Sequence, residues 1–236
     1  IAREVAALSG AVLTLPKISP VPAVQDKQRG IILDAAHACP RYCGRIISDV
    51  NAAATTPAWM VQRLERSGIR SISALVDVTN YVMLELGQPM HAFDNALLTG
   101  SIHVRYPQAG EQIKLLNEQT VTPTADTALI ADEHNGSRAL ALAGIMGGED
   151  SGISDSTREL FLESAFFTPY SIAGKARALG FSSDSSYRFE RGVDFDLQRA
   201  AIERATQLIL DICGGKPGPV IETVVPEHLP QRQPVK

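Results

Sequence analysis

The middle of the chain contains the sequence Thr127-Ala-Leu-Ile-Ala-Asp-Glu-His-Asn-Gly-Ser-Arg-Ala-Leu-Ala-Leu-Ala143. Its two short apolar runs, Thr127–Ala131 and Arg138–Ala143, flank a turn that contains Asn-Gly. Asn-Gly is favoured in tight hairpin turns because both residues tolerate a positive φ. The stretch therefore predicts two neighbouring antiparallel strands.

Short strand patterns continue on both sides of this hairpin. Ser101–Tyr106 alternates between apolar and polar side chains, and Glu159–Phe161 begins a further candidate strand. Tyr42–Val50 and Pro217–Val225 are strand-like stretches nearer the two ends. The strands thus follow one another in runs, instead of alternating regularly with helices.

Helical patterns surround this strand-rich middle. Most begin with a hydroxyl residue followed by Pro, or end at Gly, as helices commonly do. The predicted helices are Ile1–Gly10, a segment from Thr55 to Gly68, Val76–Leu86, a segment from Thr168 to Gly180, and a long helix with Leu197, Ala201, Ala205, Leu208, Ile209 and Ile212 on one face before Gly214. This order predicts an α+β fold, with mixed or antiparallel sheets packed against helices in a compact, layered domain.

The chain has 236 residues, which corresponds to one large or two small domains. Residues 1–30 include Pro16, Pro20 and Pro22 and predict the end of a preceding domain followed by a linker. Residues 31–225 predict the main domain, and residues 226–236 the lead into a following one. Because the first helix lacks its beginning, we expect the chain to be a fragment of a longer protein.

The composition excludes several classes of protein. The formal net charge is −4, which argues against a protein that mainly grips nucleic-acid phosphates, although net charge hides local patches. No apolar run approaches the ~20 residues that span a bilayer, so we expect no membrane partner. Three sparse cysteines predict a reducing, cytoplasmic setting.

Two single residues are candidates for chemistry. His91 follows a helix stop and Pro89, so we expect a constrained turn with Asp94 close enough to orient the imidazole; spacing alone favours a structural histidine. Glu163 is a charge within the otherwise apolar or small run Phe161–Phe167. It predicts either a solvated sheet edge or a carboxylate buried for a purpose, because an unpaired buried charge costs several kcal/mol.

Three longer segments have both a functional and an ordinary interpretation. The glycine-rich run Gly144–Glu149 would let backbone amides approach a ligand, but it is also typical of a tight turn. The hydroxyl-rich segment Ser182–Asp194 fits a functional loop or a loop of helix caps. His37, Cys39 and Cys43 lack the fourth ligand of a structural zinc site, so buried thiols are favoured over a metal.

Four of these segments together resemble the editing module of the beta subunit of bacterial phenylalanyl-tRNA synthetase, the third and fourth domains of that subunit. The resemblance is carried, in the family's order and at about its spacing, by Val76–Asp94, Leu142–Glu149, Leu162–Phe167 and Tyr187–Asp194. It extends from about Arg41 to Pro219. The resemblance implies that the chain hydrolyses tyrosine wrongly esterified to phenylalanine tRNA, as part of the ligase that attaches phenylalanine to this tRNA.

The resemblance also assigns site residues one position at a time. It implies that Glu163 receives the tyrosine hydroxyl, and that His91 and Asn80 lie near the amino-acid moiety. Gly147 would leave room for the aromatic ring. The remaining assignments are Arg70 near the pocket mouth, Ser183 where some relatives have Thr, and Ser185 where some have Ala. The two serines are the positions where this sequence departs from some relatives.

For the mechanism we expect no covalent intermediate, because no serine or cysteine has a visible base partner. We expect a positioned water, with His91 as the catalytic residue. The resemblance implies an alpha subunit in an α2β2 heterotetramer and a cytoplasmic location, with no membrane or DNA partner. It implies no metal or cofactor in this fragment, because ATP and magnesium belong to the synthetic site elsewhere. The alternatives are a non-catalytic module that docks tRNA or the alpha subunit, and an unrelated small-molecule hydrolase.

Overall fold

The structure is a computed structural model and describes residues 1–232. Within these residues it has seven α-helices: α1 (Ala2–Ser9), α2 (Ala58–Arg66), α3 (Ala74–Leu86), α4 (Pro169–Ile172), α5 (Lys175–Ala178), α6 (Asp184–Phe189) and α7 (Gln198–Cys213). Its strands are β1 (Ile31–Leu33), β2 (Arg41–Ser48), β3 (His91–Asp94), β4 (Ile102–Arg105), β5 (Ile113–Lys114), β6 (Thr120–Val121), β7 (Leu129–Asp132), β8 (Arg138–Leu142), β9 (Met146–Gly147), β10 (Glu159–Phe166) and β11 (Lys216–Val224). None of the helices in this range is long and apolar enough to span a bilayer.

The strands form two main sheets and one small hairpin. The four-stranded sheet has the order β11-β2-β10-β3 and is antiparallel throughout. The five-stranded sheet has the order β1-β4-β7-β8-β9 and is mixed, because β1 pairs with β4 in parallel. Strands β5 and β6 pair only with each other. The predicted α+β fold with mixed and antiparallel sheets is confirmed.

Strand β10 explains how these elements form layers. Successive side chains of a strand point to opposite faces, and β10 is apolar on both. Leu160 and Leu162 pack in the core with residues of α2, α3 and α7, whereas Phe161 and Ala165 pack in a second core with residues of the five-stranded sheet. The four-stranded sheet is therefore the middle layer, between a layer of helices and the other sheet.

A buried ion pair fastens the helix layer to the middle sheet. Arg45 on β2 is 2% exposed and lies 2.9 Å from the Glu203 carboxylate on α7. The same guanidinium donates to the carbonyl oxygens of Gly218 and Val21, and the Val21 amide donates to Glu203. Val21 belongs to the predicted linker, so part of that irregular segment packs against the main body.

Most predicted elements are confirmed, including the long helix α7, the hairpin β7–β8 and the strands β2, β4, β10 and β11. Residues 11–30 contain no helix or strand, as expected of a linker. Asn135 has a φ of 50° in the predicted turn. The three cysteines are free and buried, as the sequence favoured. The division into domains at residues 30 and 225 stays a prediction.

Several local predictions are wrong. The Thr56 hydroxyl does not cap α2 but donates to Asp77, so the helix begins without a side-chain cap. The helix predicted from Thr168 to Gly180 is two short helices, because Gly174 takes a φ of 76° between them. His91 opens strand β3 instead of lying on a turn.

The segment predicted as a loop from Ser182 to Asp194 contains helix α6, which Ser183 caps. The hydroxyl-rich composition therefore marks helix capping here, one of the two interpretations that the sequence left open.

We predict that Glu203→Gln lowers the free energy of unfolding by about 3–5 kcal/mol, because it leaves the Arg45 guanidinium buried without its countercharge. Urea unfolding of the 236-residue chain measures this change. Glu149→Gln, in an exposed ion pair with Lys114, is the matched control and should leave the unfolding midpoint unchanged. Equal stability of the two variants would contradict a fastening role for the pair.

Candidate functional site

A cavity of about 160 Å³ opens between the two sheets, where β3 and β10 face β7, β8 and β9. This is close to the volume that accommodates one benzene-sized ring in an apolar protein interior. Most of the residues that line it are apolar, and His91, Glu163 and Ser185 add polar side chains. Its lining residues are Pro89, Met90, His91, Ile130, Ala141, Leu142, Gly144, Ile145, Met146, Gly147, Glu163, Ser185 and Phe189.

Glu163 is the carboxylate in this wall. It lies on strand β10 inside the sheet and is 7% exposed, so the solvated-edge interpretation is wrong and the carboxylate is buried; the purpose of that burial stays a prediction. The Tyr42 hydroxyl donates to its Oε2 atom at 2.6 Å, and no other side chain among residues 1–232 hydrogen-bonds to it. Burial raises the pKa of Glu163 to about 7, although the bond from Tyr42 opposes that rise.

His91 lies directly opposite Glu163 in the antiparallel pair β3–β10. Its ring packs edge-on against Phe93 at 4.5 Å between ring centroids. Its Nε2 atom is buried and has no hydrogen-bond partner among the described residues. Burial lowers the pKa of His91 to about 4, so the imidazole is neutral at pH 7.

Gly147 makes room for this imidazole. A Cβ atom at Gly147 would lie 2.6 Å from Cε1 and 2.8 Å from Nε2 of His91, closer than real Cβ contacts allow. The glycine lines the cavity, but the side chain nearest to it is that of His91, and its role toward the aromatic ring of a substrate stays a prediction. The site thus depends on a close approach between β9 and β3.

The two serines hold helix α6 against the cavity. The Ser183 hydroxyl donates to the carbonyl oxygen of Ile145 at 2.7 Å, and the Ser185 hydroxyl donates to that of Gly144 at 3.1 Å. Ser183 also accepts the Ser186 amide, which completes a capping box. Of the two serines, only Ser185 lines the cavity. Both hydroxyls are engaged with the protein backbone.

The structure does not bring Asn80 and Arg70 to this cavity. Asn80 is on α3, which packs on the helix side of the four-stranded sheet, whereas Glu163 faces the other side. Arg70 is exposed in the segment between α2 and α3. Alternate side chains of β10 point to opposite faces of the sheet. Glu163 therefore points away from the helix layer that contains Asn80. The roles of Asn80 and Arg70 toward a substrate stay predictions.

Tyr42 is the site residue that sequence reasoning missed. It lies 121 positions from Glu163, and only the pairing of β2 with β10 brings the two together. A tyrosine in an apolar strand is usually an ordinary core residue, so no sequence signal marks it. Phe189 was missed for a similar reason, because it lies on a helix that the sequence did not predict.

The described residues contain no cluster of three His, Cys, Asp or Glu side chains arranged to hold a metal ion. What the site offers instead is one carboxylate and one neutral imidazole, which lie on neighbouring strands and line the same cavity. Such an arrangement suits a ligand with an aromatic ring and a single hydrogen-bonding group. The expectation that ATP and magnesium are bound elsewhere in a longer enzyme stays a prediction.

A protein-family model, the B3/4 domain, matches residues 38–214. The chain belongs to the B3/4 domain family. Over its whole length it is 67% identical to the phenylalanine–tRNA ligase beta subunit of Aromatoleum aromaticum. The corresponding identities are 61% for the beta subunit of Dechloromonas aromatica and 58% for that of Chromobacterium violaceum. The resemblance to this synthetase subunit is confirmed.

The chain spans 29% of the length of these relatives. Its fold is similar to a crystal structure of an N-terminal fragment of the phenylalanyl-tRNA synthetase beta subunit from Pyrococcus horikoshii, with a TM-score of 0.56 and 13% sequence identity. The similarity covers 89% of this chain and 57% of that one. At this identity the likeness establishes the fold alone.

We predict that Gly147→Ala displaces the His91 ring and lowers the free energy of unfolding by about 1–3 kcal/mol, because the new methyl group overfills the contact between β9 and β3. Imidazole signals in NMR spectra and urea unfolding measure the two effects. Gly152→Ala is the milder control, because its Cβ would lie 3.3 Å from the Glu149 carbonyl oxygen and no closer than 3.6 Å to any side chain. Unchanged His91 signals in Gly147→Ala would refute the close packing.

A second prediction concerns pH. The pKa of Glu163 rises from 4.5 to about 7 on folding, so its contribution to stability is fully present below pH 4.5 and is lost as the pH rises through about 7. The pKa of His91 falls from 6.5 to about 4, so its contribution is present above pH 6.5 and is lost as the pH falls through about 4. The two dependences oppose each other between pH 4.5 and 6.5.

Replacing one of the two ionisable side chains therefore reveals how the other changes stability with pH. Relative to the parent chain, Glu163→Gln should gain stability as the pH rises from 4.5 to 7, and His91→Gln should lose relative stability over pH 4 to 6.5, each by about 3 kcal/mol. Urea unfolding of both variants across pH 4–8 measures these differences, and ionisations elsewhere cancel in the comparison. Differences that stay constant with pH would mean that neither group is desolvated.

Proposed function

We propose that this chain is the editing module of a phenylalanine–tRNA ligase beta subunit and hydrolyses tyrosine wrongly esterified to phenylalanine tRNA. The observation that carries the proposal is the Glu163 carboxylate, buried in the wall of a cavity with the volume of one aromatic ring. The family membership and the similar beta subunits support it. The ester-bond chemistry and the identity of the amino acid belong to the proposal.

Selection for tyrosine follows from the number of hydrogen bonds that the Glu163 carboxylate accepts when tyrosine or phenylalanine occupies the cavity. Oε2 of Glu163 already accepts the Tyr42 hydroxyl, and a carboxylate has further acceptor sites on its other oxygen. A tyrosine side chain in the cavity would donate its phenol to Oε1. A phenylalanine side chain would cover the same oxygen and give it no partner, which costs about 1–3 kcal/mol. The site therefore favours the amino acid that a phenylalanine-shaped synthetic pocket rejects poorly.

Hydrolysis uses groups that are neutral at pH 7. With its pKa at about 4, His91 does not act as an imidazolium; its Nε2 atom, which lacks a protein partner, is available to hold the attacking water. No serine or cysteine of the cavity wall is activated by a neighbouring base, since Ser185 donates to a backbone carbonyl. Positioning and desolvation of a water beside an ester that is already activated supply much of the rate. The mechanism has no covalent intermediate.

The other partners that we propose are those of a complete phenylalanine–tRNA ligase. The proposal includes an alpha subunit in an α2β2 assembly, ATP and magnesium at a synthetic site outside this chain, and a cytoplasmic location. The net charge of −4 is compatible with tRNA as a substrate, because the module needs to reach only the aminoacylated end. Contacts with the rest of the tRNA are left to other parts of the enzyme.

Glu163→Ala in the complete enzyme should reduce the ratio of tyrosyl-ester to phenylalanyl-ester hydrolysis by about 10- to 100-fold, because the phenol loses its acceptor. Deacylation of phenylalanine tRNA charged with each amino acid measures the ratio. Glu149→Ala, whose carboxylate is exposed next to Lys114, is the matched control and should keep the parent ratio.

Three outcomes contradict the proposal. A parent enzyme that hydrolyses neither ester would indicate a non-catalytic docking module. A parent that hydrolyses both, with a ratio insensitive to Glu163→Ala, would refute recognition of the phenol by this carboxylate. Cleavage of simple tyrosine esters without tRNA would instead favour a small-molecule hydrolase.

A further inference from the structure

Tyr42 is fully buried on β2, 0% exposed, and its ring packs in the core between the two sheets. Strand β2 pairs with β10 so that Tyr42 lies opposite Ala165, two positions along from Glu163 on the same face of the sheet. This register lets the phenol reach diagonally to Oε2 of Glu163 at 2.6 Å. The proposed function uses Glu163 but assigns no task to Tyr42.

The contact determines which carboxylate oxygen remains for a ligand. Both the strand register and the packing of the Tyr42 ring fix the phenol in place, and the carboxylate must present Oε2 to it. The other oxygen, Oε1, has no hydrogen-bond partner among the described residues. Because Glu163 lines the cavity, Oε1 is the oxygen left to accept a hydrogen bond from a ligand. The carboxylate is thereby held in one orientation before any ligand enters.

We propose that Tyr42 is a positioning residue for phenol recognition, which occupies Oε2 of Glu163 and so directs Oε1 toward the phenol of a tyrosyl substrate. The inference rests on the proposed function and deepens it. In effect, one carboxylate receives two phenols, one from the protein and one from the substrate. Holding the acceptor in advance reduces the ordering that binding would otherwise require.

Among the titratable side chains that face Glu163, Tyr42 is the one whose hydrogen bond stabilises the ionised carboxylate. Burial and the nearby carboxylate raise the pKa of Tyr42 well above 10, so it stays a donor. The other titratable groups facing Glu163 are His91 on β3 and Cys39 before β2. Burial lowers the pKa of the first to about 4 and raises that of the thiol well above 9, so both are neutral at pH 7.

The elements across the cavity add no charge. The side chains that β7, β8, β9 and α6 contribute to its wall are Ile130, Ala141, Leu142, Met146, Ser185 and Phe189. Removal of the Tyr42 hydroxyl therefore raises the pKa of Glu163 above its present value of about 7, because a bond that favours the carboxylate is lost.

The test is Tyr42→Phe in the complete enzyme, assayed by deacylation of tyrosyl and phenylalanyl esters of phenylalanine tRNA from pH 5.5 to 8.5. In the parent the tyrosyl-to-phenylalanyl ratio should rise with pH around a midpoint near 7, as Glu163 ionises and becomes the better acceptor. In Tyr42→Phe the midpoint should rise by about one pH unit and the ratio at pH 7 should fall about 10-fold.

A matched control is available on α3. The Tyr81 hydroxyl also contacts a glutamate, Glu85, at 3.1 Å, but on the helix side of the sheet. Tyr81→Phe should leave both the ratio and its midpoint unchanged. A double-mutant cycle adds a measurement that does not depend on overall stability: in a Glu163→Gln background, Tyr42→Phe should have no further effect on the ratio.

The outcomes separate the inference from the proposed function. If the parent enzyme shows no preference for the tyrosyl ester, the proposed function fails and the Tyr42 inference fails with it. If the parent prefers tyrosine and Tyr42→Phe keeps both ratio and midpoint, only the inference is overturned. A Tyr42→Phe enzyme that loses both activities in equal proportion, with the midpoint unmoved, also overturns it, because Tyr42 is then a structural residue only.

Discussion

The fold depends on one strand being buried on both of its faces. Strand β10 lies between the helix layer and the five-stranded sheet, so Leu160 and Leu162 pack on one side and Phe161 and Ala165 on the other. A strand in this position shields its side chains from Leu160 to Phe166 from water. Glu163 is the single carboxylate in the buried part of that strand, and its unusual chemistry follows from this placement.

Desolvation acts in opposite directions on the two ionisable groups of the cavity. It raises the pKa of Glu163 to about 7 and lowers that of His91 to about 4. The imidazole is consequently neutral at pH 7 while the carboxylate titrates there, so no ion pair forms across the β3–β10 pairing. A pocket of this kind recognises a ligand by hydrogen bonds to a partly ionised carboxylate and a neutral imidazole, without an ion pair between the two.

The geometry is compatible with the proposed action of an acidic chain on the aminoacylated end of a tRNA. Recognition of one amino-acid side chain requires a cavity about the size of an aromatic ring, with one acceptor, and the packing of the two sheets builds both. This part of the site needs no extended basic surface. The similarity to synthetase beta subunits and the local chemistry therefore agree, although net charge by itself argues against a nucleic-acid partner.

The sequence by itself determined most of the elements and the residues that resemble a family. Hairpin β7–β8 and helix α7 follow from local patterns, because turn chemistry and periodicity act over a few residues. It also selected Glu163 and His91 as candidate site residues, through the motifs that contain them. It misplaced His91 on a turn and missed α6, since tertiary contacts override weak local preferences in short segments.

Tertiary structure alone decided what these residues can do. It placed Glu163 and His91 opposite each other, put Gly147 against the imidazole, and left Asn80 on the far side of the sheet. It also supplied Tyr42, which no spacing rule connects to a residue 121 positions away. The physical reason is that strand register and burial are properties of the assembled layers, and these set both the contacts and the pKa values of the site.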